Sequence, residues 1–230
     1  MFVPTRRRGS EILDDPATDP AIRERSLHDV RRSNVLLGGL RAVLAEVTRL
    51  LPLIGPRATL LDVGTGLADI PVAARERART QGVALVVLGV DGAESLSRVA
   101  ARTLDGSACA DVRELPFPDA SVDVVTCSQL LHHFEDGEIP RVLRELDRVA
   151  RRYVIVSDLQ RSWLAAWGFW LVSWPLGFSR VTRHDGPLSV LRGFTAAELS
   201  RHVQRATGRR ATVRRHLGWR LTASWEKRAV

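Results

Sequence analysis

LLDVGTGLADIP, residues 60–71, is an apolar run that breaks at Gly64 and Gly66 and then resumes with helical spacing. A glycine-rich turn between a strand and a helix commonly holds a ligand against the helix N-terminus. The dinucleotide fingerprint G-x-G-x-x-G would place its third glycine at position 69. That position is Asp69, and a second carboxylate, Asp62, stands ahead of the first glycine. Two carboxylates around the turn would repel a pyrophosphate. They suit a ligand that brings positive charge.

On both sides of this turn, apolar runs alternate with helical patterns. Residues 57–66 read as a buried strand entering the turn, and 70–80 as a helix with polar and apolar faces. The stretch 83–93 reads as a second buried strand ending in Asp91. A short helix follows, and a third strand is implied before Asp111. Residues 120–130 give a fourth strand, 140–150 a helix and 152–159 a fifth strand. This order predicts a doubly wound, Rossmann-like α/β sheet with right-handed crossovers. Ahead of it, residues 1–20 look like an arm, and 21–53 have helical spacing broken at Gly38-Gly39. After it, 195–208 reads as a helix and 211–225 as two strands around Gly218, for seven strands in all. One domain over 1–230 is expected, with arm and helices at 1–55 and an insertion at 160–194.

The bulk composition narrows the partners. With 230 residues, 45% apolar and 26% charged, the chain is long enough for a sizeable core. A net charge of +8 raises the question of nucleic acid. Lys227 is the only lysine, however, and the arginines are scattered rather than gathered in a stripe, which argues against a nucleic-acid partner. Cys109 and Cys127 give no disulfide framework, as in a reducing cytoplasm, and no metal-ligand set is expected. The N-terminus has basic residues with no apolar core behind them, unlike a secretory signal.

In a doubly wound sheet, ligands bind outside the carboxyl ends of the strands, where strand order reverses. Each of the first three strands finishes beside an acid: Asp62 and Asp69, then Asp91, then Asp111. Asp91, followed by Gly92, suits a clamp on two ribose hydroxyls, because a carboxylate accepts from both. Asp111 suits an adenine amino group, with the Val112 N–H on a ring nitrogen. Close backbone approach at Gly64 and Gly66 leaves room for a ribosyl chain, and Ser128 at the end of strand four joins the cofactor-binding candidates. An adenosine that carries an amino group and a sulfonium, with no phosphate, fits these acids. S-adenosylmethionine (SAM) is such a ligand.

The series LLDVGTGLAD, LGVD and CADVRELPFPDASVDVVTCSQLLHHF resembles class I SAM-dependent methyltransferases of the ubiquinone and menaquinone biosynthesis type. The likeness covers roughly residues 25–225 and includes SNVLLGGLR, similar to an Asn-containing helix ahead of the domain. It implies Asn34 at the cofactor, Asp62, Gly64 and Gly66 on the methionine part, Asp91 on ribose, and Asp111 with Val112 on adenine. Ala68 replaces a third glycine, a change expected to cost little if its φ is negative.

For the methyl acceptor, TCSQLLHHF lacks the Asn/Asp-Pro-Pro-aromatic motif of enzymes acting on adenine amino groups. The segment SWLAAWGFWLVSWPLGFS, 162–179, carries no charge, and Trp163, Trp167, Trp170 and Trp174 form one helical stripe. It is short for a bilayer span and is interrupted by Pro175. It reads either as a core helix or as a lid whose Trp167 and Trp170 face a flat, greasy acceptor, such as a phenol, quinol or polyketide ring. The same helix could rest on a membrane surface. O-methylation, favoured over C-methylation, calls for a base or a stabilising cation; the candidates are His184 and His133, with Arg161 as a substrate contact. RNA methylation, or SAM binding without catalysis, are the other readings.

Overall fold

The run that ends in the glycine turn is β1 (Arg57–Val63), and it lies inside a seven-stranded sheet ordered β3-β2-β1-β4-β5-β7-β6. The computed structural model describes residues 3–15 and 17–227. Ahead of β1 come α1 (Pro20–Leu36) and α2 (Gly39–Ile54), divided where the glycine pair predicts. After it come α3 (Asp69–Arg79), β2 (Ala84–Asp91), α4 (Glu94–Ala100), β3 (Gly106–Cys109), β4 (Val122–Ser128), α5 (Ile139–Val149) and β5 (Ala150–Leu159). The chain closes with α6 (Trp163–Ser173), α7 (Arg180–Arg192), α8 (Ala196–Thr207), β6 (Thr212–His216) and β7 (Arg220–Glu226).

Strands β1 to β5 are parallel, and every residue of β4 is buried, as expected for a strand covered on both faces. Helix α5 covers one face through Ile139, Val142, Leu143, Leu146 and Val149, with Leu199 and Val203 of α8 beside it. Val43, Val47 and Leu51 of α2 and Ala74 and Ala78 of α3 cover the other. The chain runs outward from β1 through β2 to β3, then returns to β4 on the other side of β1. The crevice created by that reversal opens at the glycine turn.

Helices α6 and α7 form the insertion after β5. Residues 182–194, TRHDGPLSVLRGF, belong mainly to α7. The Ser179 side chain caps it by accepting the Thr182 N–H, and the helix continues through Pro187. Gly186 serves contact between helices, not a turn, since a Cβ there would lie 2.0 Å from Phe169 Cε1. The N-terminal arm also packs more closely than its composition suggests. Arg161 donates to the Pro4 carbonyl, the Arg7 N–H donates to Leu191 O, and Asp185 accepts the N–H groups of Ile12 and Leu13.

The β6–β7 hairpin returns to the carboxyl edge of the sheet, where Arg220 pairs in register with Leu159 of β5. Its turn approaches the α1–α2 corner. Gly218 has φ +77, and a Cβ there would meet Leu37 O at 2.0 Å. Gly218→Ala should therefore destabilise the protein by about 2–4 kcal/mol, combining left-handed strain with overpacking. Gly208 has φ +72 but no neighbour within 4 Å. Gly208→Ala should cost only about 1 kcal/mol, and denaturant titration of the two variants checks the difference.

Candidate functional site

The turn after β1 is tied to the end of β2 by one carboxylate. Asp91 Oδ2 accepts the Gly66 N–H at 2.9 Å and Oδ1 accepts the Ala93 N–H at 2.9 Å. Burial raises the Asp91 pKa, against the opposing effect of these N–H donors. Val63, Gly64, Asp91, Gly92, Asp111 and Val112 border a cavity of about 340 Å³, closed on one side by Leu130 and Phe134. A Cβ at Gly66 or Gly92 would meet nothing within 4 Å, so this rim is open to a ligand.

Beneath the rim lie the acids expected to favour a cation. Asp62 is buried and accepts the Thr126 hydroxyl at 2.7 Å; burial, above all, pushes its pKa up to about 7. Asp69 opens α3, and its pKa is also raised by burial. Asp69 Oδ2 and Ser128 Oγ are buried with no hydrogen-bond partner among the described residues. Orphaned buried oxygens need an external partner, and an aminoacyl group bearing an ammonium supplies the donors. With Asp91 still holding free lone pairs for hydroxyls, the residues present fit SAM. Asn34 joins the group: it lies close to Asp69, and its side-chain oxygen accepts from the Gln129 side chain.

Two expectations at the cradle change. Ala68 has φ 61, so the third-glycine position is left-handed, a strain of about 1–2 kcal/mol that the buried methyl group accompanies. Asp111 is at the rim, but its carboxylate is gripped by Arg113 through contacts of 2.6 to 3.0 Å, which lower its pKa. An adenine amino group would share that carboxylate with Arg113.

Next to the cradle is a second, apolar cavity of about 210 Å³. Phe169 and Val172 of α6, Val190 of α7, Leu37 and Leu159 supply its greasy wall, with Gln129, Trp219 and Arg220 at the sheet edge. Gln129 lines this cavity, and the next residue in the chain, Leu130, lines the cradle. Gln129 holds φ 52 there, a conformation rare outside glycine.

The proposed acceptor and catalytic residues stand elsewhere. Trp167 and Trp170 are 62% and 43% exposed and do not line the cavity, because α6 turns its Ala165, Gly168, Phe169 and Val172 side inward. His184 is 59% exposed at its side chain and paired with Asp185 at 2.8 Å; Asp185, not His184, borders the cavity. His133 faces a polar pocket formed with Arg6, Arg7, Arg8 and Asp136. Arg161 is buried in structural bonds to Pro4, Gly193 and Glu198 and does not line the cavity.

Sequence reading also missed Gln129, Trp219 and Arg220. They are far apart in the chain, and only the return of the last hairpin brings them together. Likewise Glu11, His132 and His133 gather ligand atoms within 4.8 Å, a cluster with no metal-ligand spacing in the sequence. His132 Nδ1 already meets Asp158 at 2.7 Å, and the Arg192 guanidinium lies 3.4 Å from Glu11, where it would oppose a cation.

The raised Asp62 pKa has a signed consequence for stability. Unfolded, this carboxyl ionises near 3.8, whereas folded it ionises near 7. Between those values the native state binds the extra proton, so this group's contribution falls as pH rises, and is lost above the folded pKa. Asp62→Asn should be more stable than the parent at pH 8, with the difference shrinking towards acid pH. Thermal melts across pH, without ligand, check it.

Residues 61–156 match the family model described as a methyltransferase domain. An uncharacterized methyltransferase of Bacillus subtilis, YcgJ, is 29% identical over 108 residues, 43% of this chain and 40% of that protein. The plantazolicin methyltransferase BpumL, in complex with a monoazolic desmethylPZN analog and S-adenosylhomocysteine (SAH), superposes with TM-score 0.66 at 15% identity, covering 92% of each chain. The magnesium protoporphyrin IX methyltransferase of Synechocystis PCC 6803, with bound SAM, gives TM-score 0.56 at 13% identity over 94% of this chain and 88% of that one. Strand order and superposition agree that the chain has the Rossmann-like fold of SAM-dependent methyltransferases, and its residues 61–156 match a methyltransferase domain.

Proposed function

We propose that the protein transfers a methyl group from SAM to a lipophilic small molecule, a phenol, quinol or polyketide ring, at oxygen rather than carbon. The observation that carries this reading is the apolar cavity lined by Gln129, whose chain neighbour Leu130 borders the cofactor cradle. SAM supplies a methyl group already activated by its sulfonium. What this chain adds is alignment and a water-poor wall made by Phe169, Val172 and Leu159. The similar proteins include one named for magnesium protoporphyrin IX and one solved with a desmethylPZN analog, so a flat ring system is within the range of this fold.

The exposed side of α6 supports a place of work at a lipid surface. Trp163, Trp167, Trp170 and Trp174 are all exposed, together with Leu164 and Leu171. The Arg7 guanidinium lies over Trp163 and that of Arg183 over Trp174, giving the apolar face a cationic border. Such a face suits the interfacial zone of an anionic membrane. No helix among the described residues is long and apolar enough to cross a membrane. A greasy acceptor would then enter from lipid, beneath α6. The RNA reading draws less support: arginines such as Arg79, Arg98, Arg113 and Arg148 are paired with neighbouring acids.

Calorimetry should show binding of SAM and SAH and no binding of NAD, since Asp62 and Asp69 oppose a pyrophosphate. Asp91→Ala should weaken SAM by about 1–3 kcal/mol, the scale of a lost charged hydrogen bond; unchanged affinity would contradict the assigned ribose clamp. Vesicles containing phosphatidylglycerol should retain the protein, and the double change Trp167→Ser, Trp170→Ser should weaken retention by about tenfold or more. SAM affinity should not move in that variant. Equal retention of parent and variant would remove the membrane role of α6. Labelled SAM incubated with a lipid extract, with mass analysis of the labelled products, identifies the acceptor.

A further inference from the structure

Arg220 is a buried cation with no ion pair among the described residues. It is 3% exposed, yet it borders the apolar cavity. Its Nη1 donates to Gln129 Oε1 at 2.7 Å, and its Nε makes a long contact with Leu37 O at 3.4 Å. Both partners are neutral, and most of the guanidinium donors remain unused. Among the described residues, no carboxylate forms an ion pair with it.

The acids nearest to it are committed elsewhere. Glu11 and Asp185 border the same cavity, but Glu11 meets Arg192 and Asp185 accepts two backbone N–H groups and pairs with His184. Asp158 is near enough to favour the Arg220 charge electrostatically, but its oxygens bind His132 and the Leu159 N–H. Burial lowers the Arg220 pKa to about 10, which still leaves the group charged at neutral pH. An isolated charge in an apolar wall is costly unless something pairs with it.

We infer that Arg220 is the anion-binding residue of the acceptor cavity, and that the acceptor presents an anionic oxygen there, either an ionised ring hydroxyl or a carboxylate. This inference rests on the apolar cavity being the acceptor site. It adds a charge requirement to a pocket whose lining is otherwise mainly apolar. No histidine borders the cavity among the described residues, so a hydroxyl held beside Arg220 loses its proton to water, with the guanidinium stabilising the anion that remains.

Calorimetry on the SAH-loaded protein tests the charge requirement with para-hexylbenzoate and its neutral methyl ester. The parent should bind the anion about tenfold more tightly or better. Arg220→Met should lose that preference while still binding the ester, and Arg220→Lys should retain part of it. An alkylated para-nitrophenol, whose anion absorbs visible light, distinguishes the two oxygen sources. A fall of about one unit or more in its bound pKa, absent in Arg220→Met, assigns an ionised hydroxyl. Preference for the benzoate without that fall assigns a carboxylate. Removing an uncompensated buried charge should also leave the melting temperature of Arg220→Met unchanged or higher, whereas a merely structural arginine would lower it. Equal binding of anion and ester by the parent overturns the Arg220 assignment alone. Binding of neither overturns the acceptor cavity as well.

Discussion

The Asp91 carboxylate joins two strand ends that the sequence leaves 25 residues apart. By accepting from Gly66 and from Ala93 it fixes the first glycine turn against the second, and so sets the shape of the cradle. The same buried acid carries charge close to Asp62, helping to raise its pKa. The cradle is therefore held together by groups that resist being ionised together. A ligand bringing a positive charge and hydroxyl donors would relieve that tension, while a pyrophosphate would add to it.

The parallel sheet was legible because its strands are buried on both faces and so appear as apolar runs with sharp ends. β4 is buried throughout, and its limits fall where the pattern does. The cradle was legible for a related reason: a parallel strand ends at the ligand crevice, so an acid at its carboxyl end reveals both position and chemistry. Ala68 shows the limit of that logic. Its residue type is small enough for the turn, but only the fold determines that its φ is positive.

The lid region was read less well, because α6 is apolar on every side. Its periodicity located a helix but could not tell which side faces inward. The four tryptophans look like the buried stripe, yet the tight approach of α6 to α7 requires small groups at the contact: Phe169 packs where Gly186 has no side chain. The bulky rings are left on the outside. His184 follows from the same packing. Asp185 turns towards the arm, where it caps Ile12 and Leu13, and its neighbour in the helix must point away.

Gln129 connects these two regions. It occupies a strained left-handed conformation, and its side chain is held from both directions: its amide nitrogen donates to Asn34, and its oxygen accepts from Arg220. Asn34 belongs to α1 and lies close to Asp69 of the cradle, while Arg220 belongs to the last hairpin and borders the apolar cavity. Loss of either clamp would free Gln129 to relax towards ordinary backbone angles, and the next residue, Leu130, lines the cradle. A hydrogen-bonded unit assembled from α1, the end of β4 and the last hairpin, none of which specifies it alone, thus holds a stretch of chain that borders both spaces.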